Sequence, residues 1–179
     1  HTSLSNTRRF LPEWWTGDQA RCEKAGIPKG AREHNPKPQV ALEMLKADMA
    51  AGVRCGWVGG DGLYGHGYEL SYAVADLGLT FLFDVHWDQL VSLEEPAIDI
   101  PGKKPGRGRP PPIHKTATPP IAVNAYQDGL SECDWQEVEG RDPTKGVLTL
   151  SMHVRQVWVW DGHALQARRW TLVISRNKG

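Results

Sequence analysis

The sequence predicts an α/β layer followed by an antiparallel β-rich segment, and three observations carry that prediction. Helical stripes and short apolar strand runs alternate through the first half of the chain, a stretch dominated by proline and glycine interrupts them, and the last third is written in period-two alternation. These shifts in composition set three regions: an α/β core over 1–93, a Pro/Gly-rich basic arm over 94–120 and a β-rich segment over 121–179.

The elements follow in order. "TRRFLPEWW" has a small apolar centre at Phe10 and Leu11 broken by Pro12, which suits the end of a strand running into a loop. Residues 16–36 read as a polar connector with room for a short helix. A helix is predicted near Gln39 to Ala51: Pro36 and Pro38 mark its entrance, Val40, Met44, Leu45 and Met49 form a stripe, and Gly52 closes it. "VRCGWVGGD" is too short for a helix and carries Val53, Trp57 and Val58, so Val53 to Gly60 is expected as a buried strand ending at Asp61. A second helix over Tyr68 to Leu77 places Leu70, Val74 and Leu77 at helical intervals and stops at Gly78. The next strand runs from Thr80 to Val85. This helix, strand, helix, strand order makes the two strands parallel neighbours, because a parallel pair needs a crossover between its members.

From Glu94 to Pro120 the chain can bury almost nothing and is expected as an extended arm. A short helix is plausible in "PPIAVNAYQDGL". Beyond it, "DWQEVEGR", "VLTLSMHVRQVWVWDG" and "ARRWTLVISRN" read as strands, with Leu148, Leu150, Met152 and Val154 on one parity, Val157 and Val159 on the other, and a hairpin turn at Asp161 and Gly162.

Bulk properties exclude several classes. The 21 basic and 21 acidic residues balance, so contact with nucleic acid has to come from local clusters. Cys22, Cys55 and Cys133 are odd in number and lack CxxC spacing, which argues against a disulfide framework or a zinc site and for a reducing, cytoplasmic setting. No apolar run approaches the ~20 residues that span a bilayer, and no secretory leader is visible, so no membrane partner is expected. The chain opens on His1 instead of Met and ends just past a strand-like run, which reads as a piece of something longer. No motif supports Ser-His-Asp or Cys-His catalysis, and no glycine-rich loop ends in Gly-Lys-Ser/Thr.

One carboxylate stands out. Asp61 leaves an apolar strand for a loop containing Gly62 and Gly65, where open α/β sheets bind ligands. As a metal ligand it would be exposed at the strand end, free of local hydrogen bonds and facing a concavity. As a helix N-cap it would accept a bond from the amide of Leu63 or Tyr64. Spacing leaves both roles open. Gly59, Gly60, Gly62 and Gly65 either leave room for a DNA backbone or form turns.

The succession "RRFLPEWW", "KAGIP", "KPQVALEMLKADMAAGV", "WVGGDGLYG", "LGLTFLFDVHWDQLV", "GRGRPPP", "WQEVEGRDPTKGVL" and "RQVWVWDG" resembles the catalytic core of bacterial insertion-sequence transposases of the DDE superfamily. The resemblance implies a ribonuclease H-like core with a β-rich insertion, cleavage and strand transfer on DNA with Mg²⁺ or Mn²⁺, and a bacterial cytoplasmic location. It assigns Asp61 as the second acid of a triad, catalytic and metal-binding, and puts the first Asp upstream of His1 and the Glu beyond Gly179. A homo-oligomer is compatible with it. Without the other two acids, this chain alone is expected to be inactive.

"GKKPGRGRPPPIHK" supplies the basic cluster Lys103, Lys104, Arg107, Arg109 and Lys115 with no acid among them. Its "GRGRP" is similar to the core of an AT-hook, a thin strip for the minor groove of A·T-rich DNA. A solvated tether is the alternative; beside the transposase resemblance these five residues are expected to contact DNA. Trp158 and Trp160 could stack on bases or pack on a neighbour. The second function class is a non-catalytic DNA-binding or assembly module derived from a transposase.

Overall fold

A computed structural model describes residues 5–99, 115–142 and 146–177. The chain divides into two compact units, His1–Val85 and His86–Gly179.

The first unit begins with residues 5–12 in no regular element. The strand end expected at Phe10 and Leu11 is absent because this segment is tied to side chains instead of to a sheet. Ser5 Oγ donates to Asp48 at 2.7 Å and Arg8 pairs with Glu43 at 2.8 Å. The connector holds two short helices, α1 (Glu13–Thr16) and α2 (Gln19–Lys24). Asp18 caps α2 by accepting from the Arg21 amide, Cys22 is fully buried, and the Arg21 guanidinium lies 4.2 Å from the Trp15 ring centroid.

Helix α3 spans Lys37–Ala50 with Pro36 as N-cap, then strand β1 (Trp57–Gly60), the single turn α4 (Gly62–Gly65), helix α5 (Tyr68–Asp76) and strand β2 (Thr80–Phe83). Helices α2, α3 and α5 all stop by the same device. Gly26, Gly52 and Gly78 take φ of 69°, 87° and 74°, and the residue after each glycine donates its amide back to the helix: Ile27 to Cys22, Val53 to Asp48, Leu79 to Val74. This is the Schellman motif, which satisfies carbonyls that the helix end leaves bare and needs a left-handed residue that only glycine adopts cheaply. In α5 the stop also fixes where β2 begins, since Leu79 packs against the core immediately before Thr80.

The two strands are parallel, with Trp57 opposite Thr80 and Gly60 opposite Phe83. One face is covered: Leu42, Leu70 and Val74 are buried, with Leu45, Val58, Tyr64, Leu77, Phe81 and Phe83 packed against them. The α5 stripe lies as its spacing predicts. On α3 the buried centre is Leu42, flanked by Leu45, instead of the Val40/Met44 side. β1 also differs from the expected buried strand. It starts at Trp57, and Trp57 and Val53 are 64% and 45% exposed, because only the Val58 face meets the helices.

The second unit builds on three antiparallel strands, numbered here after the short pairs that precede them. β3 (Leu90–Val91) pairs with β6 (Ile121–Ala122), and β4 (Ile98–Asp99) pairs with β5 (Lys115–Thr116). Helix α6 (Val123–Asp128) follows β6 directly. Then come β7 (Gln136–Asp142), β8 (Gly146–Val159) and β9 (Arg168–Asn177) in spatial order β7-β8-β9. Ser92 and Trp158 exchange both backbone hydrogen bonds, so β3 continues the β8 edge.

The register of β8 with β9 runs unbroken from Leu150 opposite Asn177 to Val159 opposite Arg168. Without a bulge, the two apolar parities of β8 must lie on opposite faces. Val157 and Val159 take the covered face with Leu172 and Ile174, while Val154 stays 57% exposed beside its register partner Val173. The turn at Asp161 and Gly162 belongs to a longer loop: Asp161 Oδ1 accepts from the amides of His163 and Ala164, and Trp160 Nε1 donates to the Ala164 carbonyl. On the covered face, His153 bridges α6 to the sheet, with Nε2 2.9 Å from the Tyr126 hydroxyl and Nδ1 2.8 Å from the Asp134 carbonyl. Since a carbonyl only accepts, Nδ1 carries a proton, and in the neutral ring Nε2 then accepts from Tyr126.

A Cβ added at Gly65 would sit 1.9 Å from the Asp84 carbonyl oxygen, whereas one at Gly56 meets nothing within 4 Å. Gly65→Ala is therefore expected to force α4 away from the end of β2 and cost about 1 to 3 kcal/mol. Gly56→Ala should stay within about 0.5 kcal/mol of wild type. Urea unfolding of the two variants checks the contrast.

Candidate functional site

Asp61 follows β1 with an extended backbone, φ −76° and ψ −176°, and its side chain is exposed at the C-terminal end of the parallel pair. Its Oδ1 accepts the Leu63 amide at 3.0 Å, and its carbonyl accepts from Tyr64 at 2.9 Å and Gly65 at 3.2 Å. Asp61 is thus the N-cap of α4. The expectation of a carboxylate without local hydrogen bonds is corrected on this oxygen, because the first turn of a helix leaves amides without intrahelical partners and the Asp61 side chain accepts from one of them. Oδ2 accepts no hydrogen bond from the described residues.

The glycines around Asp61 have an intramolecular reason. A Cβ at Gly60 would lie 2.9 Å from Phe83 Cδ1 and 3.0 Å from Tyr64 Cβ, so side chains of the unit fill that space. At Gly65 the backbone of Asp84 fills it. Of the glycines singled out in the sequence, Gly59 keeps open room on the outer face, its added Cβ meeting only the Leu82 carbonyl at 3.9 Å. Tyr64 packs into the core, and Tyr68 lies 6.0 Å from Tyr72, centroid to centroid. His66 is exposed.

A residue that spacing did not single out lies beside the cap. Asp84 follows β2 as Asp61 follows β1, and its amide donates to the Gly60 carbonyl at 3.1 Å. The sequence signal was available: each strand is followed at once by an aspartate, and strands paired in parallel bring such positions together. Among the described residues no group of three or more His, Cys, Asp or Glu could hold a metal ion. An open groove of about 470 Å³, lined by Met49, Gly52, Val53, Arg54 and Cys55, precedes β1 and so lies toward the strand end opposite Asp61.

Of the five basic residues, Lys115 is exposed on β5, with Asp99 as its register partner. Lys103, Lys104, Arg107 and Arg109 lie outside the described residues. Trp158 faces Arg169, whose guanidinium is 5.4 Å from its ring centroid.

The family model for the DDE superfamily endonuclease matches residues 2–147, which include the strand, cap and glycine turn around Asp61. The chain belongs to the DDE superfamily endonucleases. No curated protein and no solved structure matches it. The match ends just inside β8, so most of β8 and all of β9 lie beyond the matched segment. No helix among the described residues is long and apolar enough to cross a membrane.

Asn caps a helix nearly as well as Asp. Asp61→Ala should therefore lower stability by about 1 kcal/mol and Asp61→Asn by a few tenths at most, as measured by thermal or urea unfolding.

Proposed function

We propose that this chain serves DDE-type transposition: metal-dependent cleavage of DNA and strand transfer, with Asp61 as one metal-ligating carboxylate on a ribonuclease H-like core. The observation that carries the reading is the exposed Asp61 at the C-terminal end of a parallel strand, in a chain of this endonuclease family. That is where open α/β sheets hold ligands. The donor chemistry fits Mg²⁺ or Mn²⁺, hard cations that take one or two carboxylates and complete their shell with water and substrate phosphate. When bound, such ions activate the attacking oxygen and stabilise the leaving one at the phosphodiester. The protein's part is to fix Asp61 through its cap bond to Leu63, so that the carboxylate is positioned before DNA arrives.

Three acids are the family's requirement, and Asp61 is the residue in this chain that matches the pattern. The reading places the other two in flanking segments, upstream of His1 and downstream of Gly179. The regions are assigned as core over 1–93, basic arm over 94–120 and β-rich insertion over 121–179, with Lys103, Lys104, Arg107, Arg109 and Lys115 as DNA contacts. A homo-oligomer and a bacterial cytoplasmic setting go with this reading. The second reading is a non-catalytic DNA-binding or assembly module derived from a transposase, motivated by Asp61 being the one triad acid that the resemblance finds in residues 1–179.

Cleavage of labelled DNA ends by the protein that carries all three acids separates the two. Asp61→Asn is expected to reduce cleavage by a factor on the order of 10³ while folding and DNA binding persist. Full cleavage by that variant removes Asp61 from the metal. For the arm, each phosphate neutralised contributes about −0.9 to the slope of log K against log salt. Arg107→Ala with Arg109→Ala should flatten the slope by roughly two units, read by fluorescence anisotropy across a salt series; an unchanged slope leaves the arm as a tether.

A further inference from the structure

Strand β9 has β8 on one side and no described strand on the other. Which of its backbone groups are open follows from the opposite edge of β8. Trp158 exchanges both hydrogen bonds with Ser92 there, so its amide and carbonyl point away from β9, and the odd-numbered residues of β8 point toward it. Their register partners Trp170, Leu172, Ile174 and Arg176 complete those bonds, which leaves the amides and carbonyls of Arg169, Thr171, Val173 and Ser175 directed at the open edge. On the other side of the sheet, the same alternation directs the backbone of Glu137 and Glu139 outward from β7.

Sheets protect an open edge with proline, a bulge, lysines or a very short strand. β9 is 10 residues long, keeps an unbroken register, has no proline, and carries no charge over residues 170–175. Its charges are Arg168, Arg169 and Arg176, at its two ends, with no acid among them. β7 bears the opposite sign at its outward positions, Glu137 and Glu139, both exposed. An edge presents carbonyls between its amides, and another strand satisfies both, whereas DNA phosphates only accept and leave the carbonyls unmet. A two-fold pairing of β9 with its own copy runs antiparallel and sets the Arg168 end of each against the Arg176 end of the other, like charge to like. β7 of a second copy brings acids instead. Since β7 and β9 are both antiparallel to β8, they are parallel to each other, and a sheet continued with its faces matched puts Glu137 and Glu139 on the side of Arg168 and Arg176.

We propose that the β9 edge of one copy pairs with the β7 edge of a second, so that this chain associates head to tail through a continuous sheet. The contact is heterologous: the assembly keeps one open edge of each kind, and copies add until a ring closes. Backbone hydrogen bonds supply the attachment, and the opposed charges select β7 over a second β9. The inference is independent of the metal-binding reading of Asp61 and names a surface for the homo-oligomer that goes with it.

Sedimentation velocity of the chain over a concentration series is the test. The mean mass is expected to rise above that of one chain with concentration and to fall back as salt increases. Ser175→Pro and Glu139→Pro each remove an outward amide while sparing the bonds to β8, a position where a sheet edge accepts proline. Each variant alone is expected to stay a single chain, and their equimolar mixture to form a two-chain species, because each retains the edge that the other lacks. A wild-type chain that stays single at every concentration overturns the proposal, as does a mixture of folded variants that stays single. Association of Glu139→Pro alone would mean that β9 pairs with itself, and association of both variants alone would put the contact elsewhere; either result overturns it. Far-UV circular dichroism reports whether each variant folds. Should one fail, the charge reversals Glu137→Lys with Glu139→Lys, and Arg168→Glu with Arg169→Glu, replace the pair, again single alone and associating when mixed.

Discussion

Four residues of parallel ladder, Trp57–Gly60 against Thr80–Phe83, determine how the first unit is assembled. A parallel pair cannot close through a tight turn, so α4 and α5 must carry the chain back, and α5 has to lie on the sheet to do so. Leu70 and Val74 supply that contact, and Leu42 on α3 joins them in the same buried cluster. The proposed chemistry depends on the same ladder, because it sets the strand end that Asp61 follows.

Much of this arrangement was legible in the residues. Gly52 and Gly78 marked helix ends because a left-handed glycine followed by an apolar residue has one common use, and "KAGIP" carries the same signature at Gly26. The α5 stripe was readable because its apolar residues are few and regularly spaced. α3 was harder: Val40, Leu42, Met44, Leu45 and Met49 surround most of the helix, and only the packing against Leu70 and Val74 selects Leu42. In β8 the parity change between Val154 and Val157 was visible, but which set would be covered depended on α6 and β3, far away in sequence.

The candidate site was legible in part. Asp61 was visible from its strand and glycines, and both of its roles were open. The cap became explicit only with the Leu63 amide in place, and among the described residues it engages one of the two oxygens. Asp84 was hidden because its place beside the cap is a matter of register: in sequence it is one acid after a strand, and only pairing makes it the neighbour of Asp61. The basic arm contributes through composition, and Lys115 is its described member.

The contact between Gly65 and the Asp84 carbonyl has a consequence for any survey of substitutions scored by activity. Every side chain except hydrogen is excluded there, so the position will score as intolerant beside Asp61 and Tyr64, and a map of sensitivity alone would mark it as part of the chemistry. Its intolerance is steric in origin. Abundance measured alongside activity distinguishes the two, since a residue that only keeps a turn against a strand lowers both together, whereas a ligand lowers turnover at constant abundance.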